Sequence, residues 1–234
     1  MKLLIGDAPL WLCKALSENG FEVFKTGLCD SLPGPVSGHI DLVAAKILDK
    51  LFIAQEKEKT ITEYDRMYSL FSGYDIRICK TKLSDSYPGD VPLNFVTLGD
   101  YVICNPRTVL PDALYIAKEY GKTVIPVSQG YTNCSTLVID EKSIITDDEG
   151  IFKTCSELLD VLLVEKGSIS LPGYDYGFIG GSAFRQGDTV YFFGNLFSHP
   201  DAEKTEAFIR GKKLKVCSLS FDHKLVDIGG AVVL

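Results

Sequence analysis

The sequence contains no uninterrupted apolar run approaching the roughly 18 residues that cross a bilayer, so no membrane span is expected. Positive charge is also scarce. Lysine and arginine total 24 against 31 aspartates and glutamates, a formal net charge of −7, and the sequence pI is near 5.0. A nucleic-acid footprint or an anionic membrane surface needs clustered basic residues, and neither partner is expected. The seven cysteines form no CxxC pair and no Cys/His metal spacing. Their odd number fits a reducing compartment better than a disulfide framework, which makes the cytoplasm the expected location. Met1 to Leu12 holds Asp7 and Pro9 within its apolar stretch and lacks a small-residue cleavage site, so it does not read as a secretory signal.

What is present is ordinary globular material: 234 residues, 46% hydrophobic and 24% charged, enough for one sizeable core. One domain over residues 1–234 is expected. Within it the order strand, turn, strand, helix, strand recurs. Units open at Gly38, Val91, Gly130, Tyr176 and Val226. In the first, strands at His39–Lys46 and Leu51–Gln55 flank a polar turn, followed by a helix near Ile61–Ser72 and a strand at Tyr74–Thr81. In the second, Leu93–Thr97 and Tyr101–Cys104 flank Gly99-Asp100, and a helix runs from Pro111 to Gly121 before a strand at Thr123–Val127.

The third unit reads as strands at Cys134–Ile139 and Ser143–Thr146, a helix near Thr154–Glu165 and a closing strand at Ser168–Leu171. The fourth reads as Gly177–Phe184 and Thr189–Phe193 around Gln186-Gly187-Asp188, a helix from Pro200 to Gly211, and a strand at Leu214–Ser218. The leftovers are a strand at Val226–Leu234 and, at the other end, strand Lys2–Ile5, helix Pro9–Glu18 and strand Phe21–Lys25. Joined tail to head they complete a fifth unit, which also pairs two otherwise open sheet edges. An open doubly wound sheet would place one strand before each helix. Two strands precede each helix here, which favours an α/β propeller of five ββαβ units.

In such a ring the first strand of each unit lies nearest the axis, so polar residues at those strand starts converge. The first unit supplies Gly38-His39-Ile40-Asp41, where the period of two along a strand puts His39 and Asp41 on one face. The third supplies Thr132-Asn133-Cys134-Ser135, with the only cysteine at the polar start of an inner strand. The other six cysteines lie on apolar patterns or near a loop and read as structural. His199 reads as a cap or surface residue and His223 as a loop residue. Gly177-Phe178-Ile179-Gly180-Gly181 lacks GxGxxG spacing and opens a strand, so it is not a phosphate loop. Asp147-Asp148-Glu149 lacks EF-hand spacing and reads as a solvated turn.

The unit order, the Gly-His-x-Asp segment and the Asn133-Cys134-Ser135-Thr136-Leu137 strand resemble the guanidine-modifying penteins: arginine deiminase, agmatine deiminase and dimethylarginine dimethylaminohydrolase. The resemblance spans the whole chain and implies a divergent or circularly permuted member. It implies Cys134 as nucleophile and His39 as acid/base, with Asp41, Asn133 and Asp227 as substrate-binding side chains. Where the family often has Glu-Gly-Gly-Asp, this chain has Ile179-Gly180-Gly181-Ser182 and Ile228-Gly229-Gly230-Ala231. Asp227 lies one residue off and, on a regular strand, points to the opposite face; it is the candidate for orienting the histidine. A cysteine serving this chemistry is expected to have its pKa lowered by His39 and the field of the site.

The implied activity is hydrolysis of a small cationic guanidino or amidino compound, of deiminase or amidinohydrolase type, with no metal or organic cofactor. The alternative is a non-catalytic pentein that binds a protein or ribosomal partner, since a fold does not fix a function.

Overall fold

The computed structural model describes residues 1–54 and 73–234. The helix expected near Ile61–Ser72 lies outside the described residues. Five three-stranded sheets surround an axis. The first unit contains β3 (Ala44–Ile47), β4 (Lys50–Ala54) and β5 (Asp75–Cys79), and the second β6 (Val96–Leu98), β7 (Tyr101–Cys104) and β8 (Thr123–Pro126). The third contains β9 (Thr136–Val138), β10 (Ser143–Thr146) and β11 (Asp160–Leu163), and the fourth β12 (Ala183–Gln186), β13 (Thr189–Phe192) and β14 (Lys215–Ser218). The fifth joins β15 (Val232–Val233) to β1 (Lys2–Ile5) and β2 (Glu22–Lys25).

In every unit the first strand runs antiparallel to the second and the second parallel to the third. A parallel neighbour requires a crossover. That crossover is helical in the units where it is described: α1 (Leu10–Glu18) follows β1, α3 (Pro111–Glu119) follows β7, α4 (Glu149–Cys155) follows β10 and α5 (Ala202–Gly211) follows β13. Pro111 begins α3 because a first-turn residue has no helical acceptor for an N–H, and the chain leaves the helix through Gly121 at φ 67°. The middle strand of each sheet lies between the first and the third, and β4 is buried along its whole length. Phe52, Phe192 and Phe193 are among the fully buried side chains, each contributing about 1.5–3 kcal/mol by leaving water.

The ring closes as expected. Leu3 faces Val233 and Leu4 faces Val232 in antiparallel register, and Lys46 on β3 reaches the Val233 carbonyl at 3.3 Å, tying the closing strand to the first unit.

Three expectations change. The third-unit helix is not at Thr154–Glu165. The Asp148 side chain accepts from the Ile151 amide at 2.9 Å and starts α4 at Glu149. Asp160–Leu163 instead lies parallel to β10, pairing Ser143 with Asp160 through Thr146 with Leu163. Ser168–Leu171 therefore does not close the unit; Ser170 makes only an isolated bridge to Val226.

The inner strands are also shorter than expected. His39 precedes a single helical turn, α2 (Ile40–Val43), and the extended strand begins at Ala44. Cys134 sits in the turn before β9, where the Ser135 amide bonds to the Tyr131 carbonyl at 3.1 Å. The period-two reason for grouping His39 with Asp41 thus does not hold. Finally, Asp147 is not a solvated residue: it is 3% exposed, with its carboxylate accepting from the Ile179 amide at 3.0 Å.

Candidate functional site

Each unit contributes the segment just before its inner strand to one end of the axis: His39–Asp41, Asn94, Cys134, Gly180–Ser182 and Asp227–Gly230. Residues in turns escape the alternation of a strand, so successive side chains and backbone amides can all face the centre.

Cys134 and Asp41 are in direct contact. The Cys134 thiol donates to Asp41 Oδ2 at 2.8 Å. Asn94, which sequence patterning missed, holds this pair. Its amide nitrogen donates to Cys134 Sγ and to the Asp41 carbonyl, each at 3.1 Å, while its Oδ1 accepts from the Asn133 amide at 2.7 Å and the Cys134 amide at 3.2 Å. The available signal was one amide inside the apolar run Val91-Pro92-Leu93-Asn94-Phe95-Val96, at the inner-strand position of the second unit.

His39 faces Asp227, its Nδ1 standing 3.7 Å from Oδ1. Asp227 is not on a regular strand, so the reversed facing expected of it does not arise. Its Oδ1 accepts from the Gly229 amide at 2.9 Å and its Oδ2 from the Phe178 amide at 2.8 Å. Gly229 turns the chain at φ 80°, where a Cβ would lie 2.7 Å from the His39 Cβ and 2.8 Å from Asp41 Oδ1. Glycine there lets the Asp227 segment close on the histidine.

His39, Cys134 and Asp227 line a cavity of about 280 Å³ together with Val36, Leu42, Leu171, Asp175 and a wall of rings, Tyr131, Tyr174, Tyr176 and Phe178. Asp41 lies behind Cys134, 2% exposed. Asn133 is not on that lining; it borders a different cavity with Thr136, Gly180 and Arg185.

The charges are costly where they stand. Burial pushes the Asp41 carboxyl up to about 8, with Asp227 adding to the rise. Burial also raises Asp227, offset in part by His39 and the two amides, and raises Asp147 to about 7. Burial raises the Cys134 thiol well above its ordinary value, and the Asp41 and Asp227 carboxyls add to this. His39 is lowered by burial, which outweighs the pull of Asp227. Desolvation and two neighbouring acids thus favour the neutral thiol, against the expectation that His39 and the field of the site lower its pKa. Cys134 is expected to react slowly with iodoacetamide at pH 7, with a rate still climbing through pH 9, measured by mass spectrometry of the labelled peptide.

Stability carries the same signature. A carboxyl whose folded pKa exceeds its unfolded value contributes stability that is complete below the unfolded pKa and is lost as pH rises through the folded one. For Asp41 that window runs from the ordinary carboxylate value of 3.8 to about 8. The melting temperature is expected to fall across this window, and Asp41→Asn to flatten the fall by about 3 °C or more in calorimetric scans between pH 5 and 9.

A family model described as a family of unknown function (DUF6873) matches residues 6–232. No curated protein matches the sequence. Among solved structures, the dimethylarginine dimethylaminohydrolase of Pseudomonas aeruginosa, in a mutant form complexed with citrulline, aligns with a TM-score of 0.55 at 9% identity, over 94% of this chain and 91% of that one. An amidinotransferase from Microseira wollei in the saxitoxin biosynthetic pathway aligns at 0.55 and 9% identity, over 94% and 89%. The C. jejuni agmatine deiminase aligns at 0.55 and 10% identity, over 94% and 75%. At these identities the likeness is one of fold.

Proposed function

We propose that this chain, which belongs to the family of unknown function (DUF6873) and is a divergent pentein, is a Cys134/His39-dependent hydrolase of a small guanidinium or amidinium compound. The observation that carries the reading is the buried cluster itself: a thiol bonded to a carboxyl, beside a histidine–carboxyl pair, at the wall of one cavity. The cluster has an excess of acid and, among the described residues, no lysine or arginine beside it. Asp41 and Asp227 are both fully buried with raised pKa values. A guanidinium entering beside them supplies that charge, favours the ionised carboxyls and lowers the energy of a thiolate at Cys134.

The substrate thus promotes its own attack. The Cys134 thiol proton passes to His39, and the sulfur electron pair forms a C–S bond to the guanidinium carbon. The tetrahedral adduct collapses as its C–N bond breaks, with His39 returning a proton to the departing amine. The same histidine then accepts a proton from water as water attacks the thiouronium carbon. The C–S bond breaks, and the proton returns to the sulfur. The net change is guanidinium plus water to a urea plus an ammonium ion. Asp227, on the cavity lining, positions the imidazole and faces the cation, and Asp41, behind Cys134, bonds the thiol and adds its charge to the field. Asn133, which borders another cavity, contributes its backbone amide to the Asn94 contact instead.

Incubation with a panel of alkylguanidines, assayed for released amine or ammonia and for a covalent mass increment on Cys134, tests the reading. Release together with an adduct on Cys134 is expected. Tight binding of guanidines with neither release nor adduct replaces the hydrolase by the binding-module alternative, which the strongly raised thiol pKa would then explain.

A further inference from the structure

Asn94, in the segment just before β6, is 1% exposed and joins the second unit to both halves of the thiol pair. Its orientation is settled by its neighbours. The Asn133 and Cys134 amides, at 2.7 and 3.2 Å, can bond only to an oxygen, so Oδ1 faces them and the nitrogen is left for the Cys134 sulfur and the Asp41 carbonyl, each at 3.1 Å. The Cys134 carbonyl is gripped in turn by the Gly180 and Gly181 amides at 2.8 and 3.2 Å. Beyond its burial, the sulfur thus meets one side chain that opposes its ionisation, Asp41, and one that favours it, Asn94. Burial lowers His39, so an imidazolium is not standing by in the empty site to lend that support.

We propose that Asn94 is the positioning residue that holds Cys134 as an attacking anion, its N–H staying on the sulfur when the proton leaves while its carbonyl oxygen keeps the Asn133 and Cys134 backbone in place. The inference rests on the reading above for Cys134 as the reacting sulfur. A neutral N–H···S contact becomes charge-assisted once the sulfur ionises, and such bonds are about twice as strong as neutral ones. The donor is aimed before any ligand arrives, so ionisation needs no reorganisation around it. An uncharged amide also gives this support without forming an ion pair with Asp41, which leaves the charge of the acids for a cationic ligand.

Iodoacetamide labelling of Cys134 in the full chain at pH 8.5, read by mass spectrometry of its peptide, follows the sulfur without needing a substrate. Asn94→Met is uncharged, similar in size and unable to donate, and is expected to slow labelling by about tenfold. Asn94→Asp keeps an acceptor for the two amides but sets a carboxyl against the sulfur, and is expected to slow it further, which carries the test if the methionine variant does not fold. Combining Asn94→Asp with Asp41→Asn returns one amide and one carboxyl to the sulfur, and labelling is expected to recover to within about threefold of the parent. A merely structural role predicts the reverse: burial is the largest cause of the raised thiol, so a loosened site hydrates the sulfur and labels faster. Labelling that is unchanged or faster in either single variant overturns the inference. Turnover is read separately. Slowed labelling in a chain that hydrolyses no guanidine keeps the role of Asn94 and removes the hydrolase; hydrolysis with parent-like labelling in Asn94→Met keeps the hydrolase and removes the role.

Discussion

Cys134→Ser is expected to lower guanidine turnover by about three orders of magnitude or more, leaving the fold intact. The loss is chemical because the serine hydroxyl can keep both side-chain contacts of the thiol, donating to Asp41 Oδ2 and accepting from the Asn94 amide. An alcohol, however, has a far higher pKa than a thiol, and the two carboxyls that already oppose the thiolate oppose an alkoxide more. A melting temperature within a few degrees of the parent protein, with no adduct and no released amine, is the expected outcome. Turnover that survives the substitution removes Cys134 from the mechanism.

Gly6→Ala is expected to damage stability and site together. A methyl at Gly6 would overlap the Gly38 carbonyl and approach the Ile40 amide at 3.1 Å. Both are backbone, so no side chain can swing aside. The Gly38 carbonyl already accepts from the Asp7 amide at 2.8 Å, and His39 follows directly. Overpacking of this kind costs about 3 kcal/mol, equivalent to about 6–12 °C in melting temperature for a chain of this size. Displacing His39 by a fraction of an ångström adds a loss of turnover of about tenfold to a hundredfold in whatever protein remains folded. Gly211→Ala is the control: it sits exposed at the end of α5 with nothing within 4 Å of the added carbon, and is expected to change neither property. Equal melting temperatures for the two variants would show that the segments adjust freely.

The ring was readable because its punctuation is local. Gly99-Asp100 and Gln186-Gly187-Asp188 turn between strands that pair as expected, Pro111 opens its helix, and the apolar ends find each other. The third unit was misread because Thr154 to Glu165 passes for an amphipathic helix, while the deciding feature was the Asp148 cap upstream, which starts the helix at Glu149 and leaves Asp160–Leu163 to the sheet. His39 and Cys134 were singled out as polar residues at unit starts and Asp227 from its place beside Gly229-Gly230, though the strand periodicity invoked for His39 and Asp41 was the wrong reason. Turns of four or five residues are too short to show any period. Asn94 was hidden by its apolar neighbours, and the ring wall from Tyr174 to Phe178 lies in a connection whose direction no local pattern encodes.

The pairing of β15 with β1 has a consequence for the order of events during synthesis. Leu3 and Leu4 emerge from the ribosome long before Val232 and Val233, and His39 long before Asp227. Until the later partners appear, the N-terminal unit has an open strand edge and a histidine without its acid. Contacts of such wide sequence separation form late. The acidic cluster is therefore completed in one of the last steps of folding, and a nascent chain holding Cys134 and Asp41 still lacks the carboxyl that positions His39. On the proposed reading, competence for catalysis would in this sense be timed by translation: Cys134 is made early, and Asp227, the partner of His39, arrives only when the ring can close.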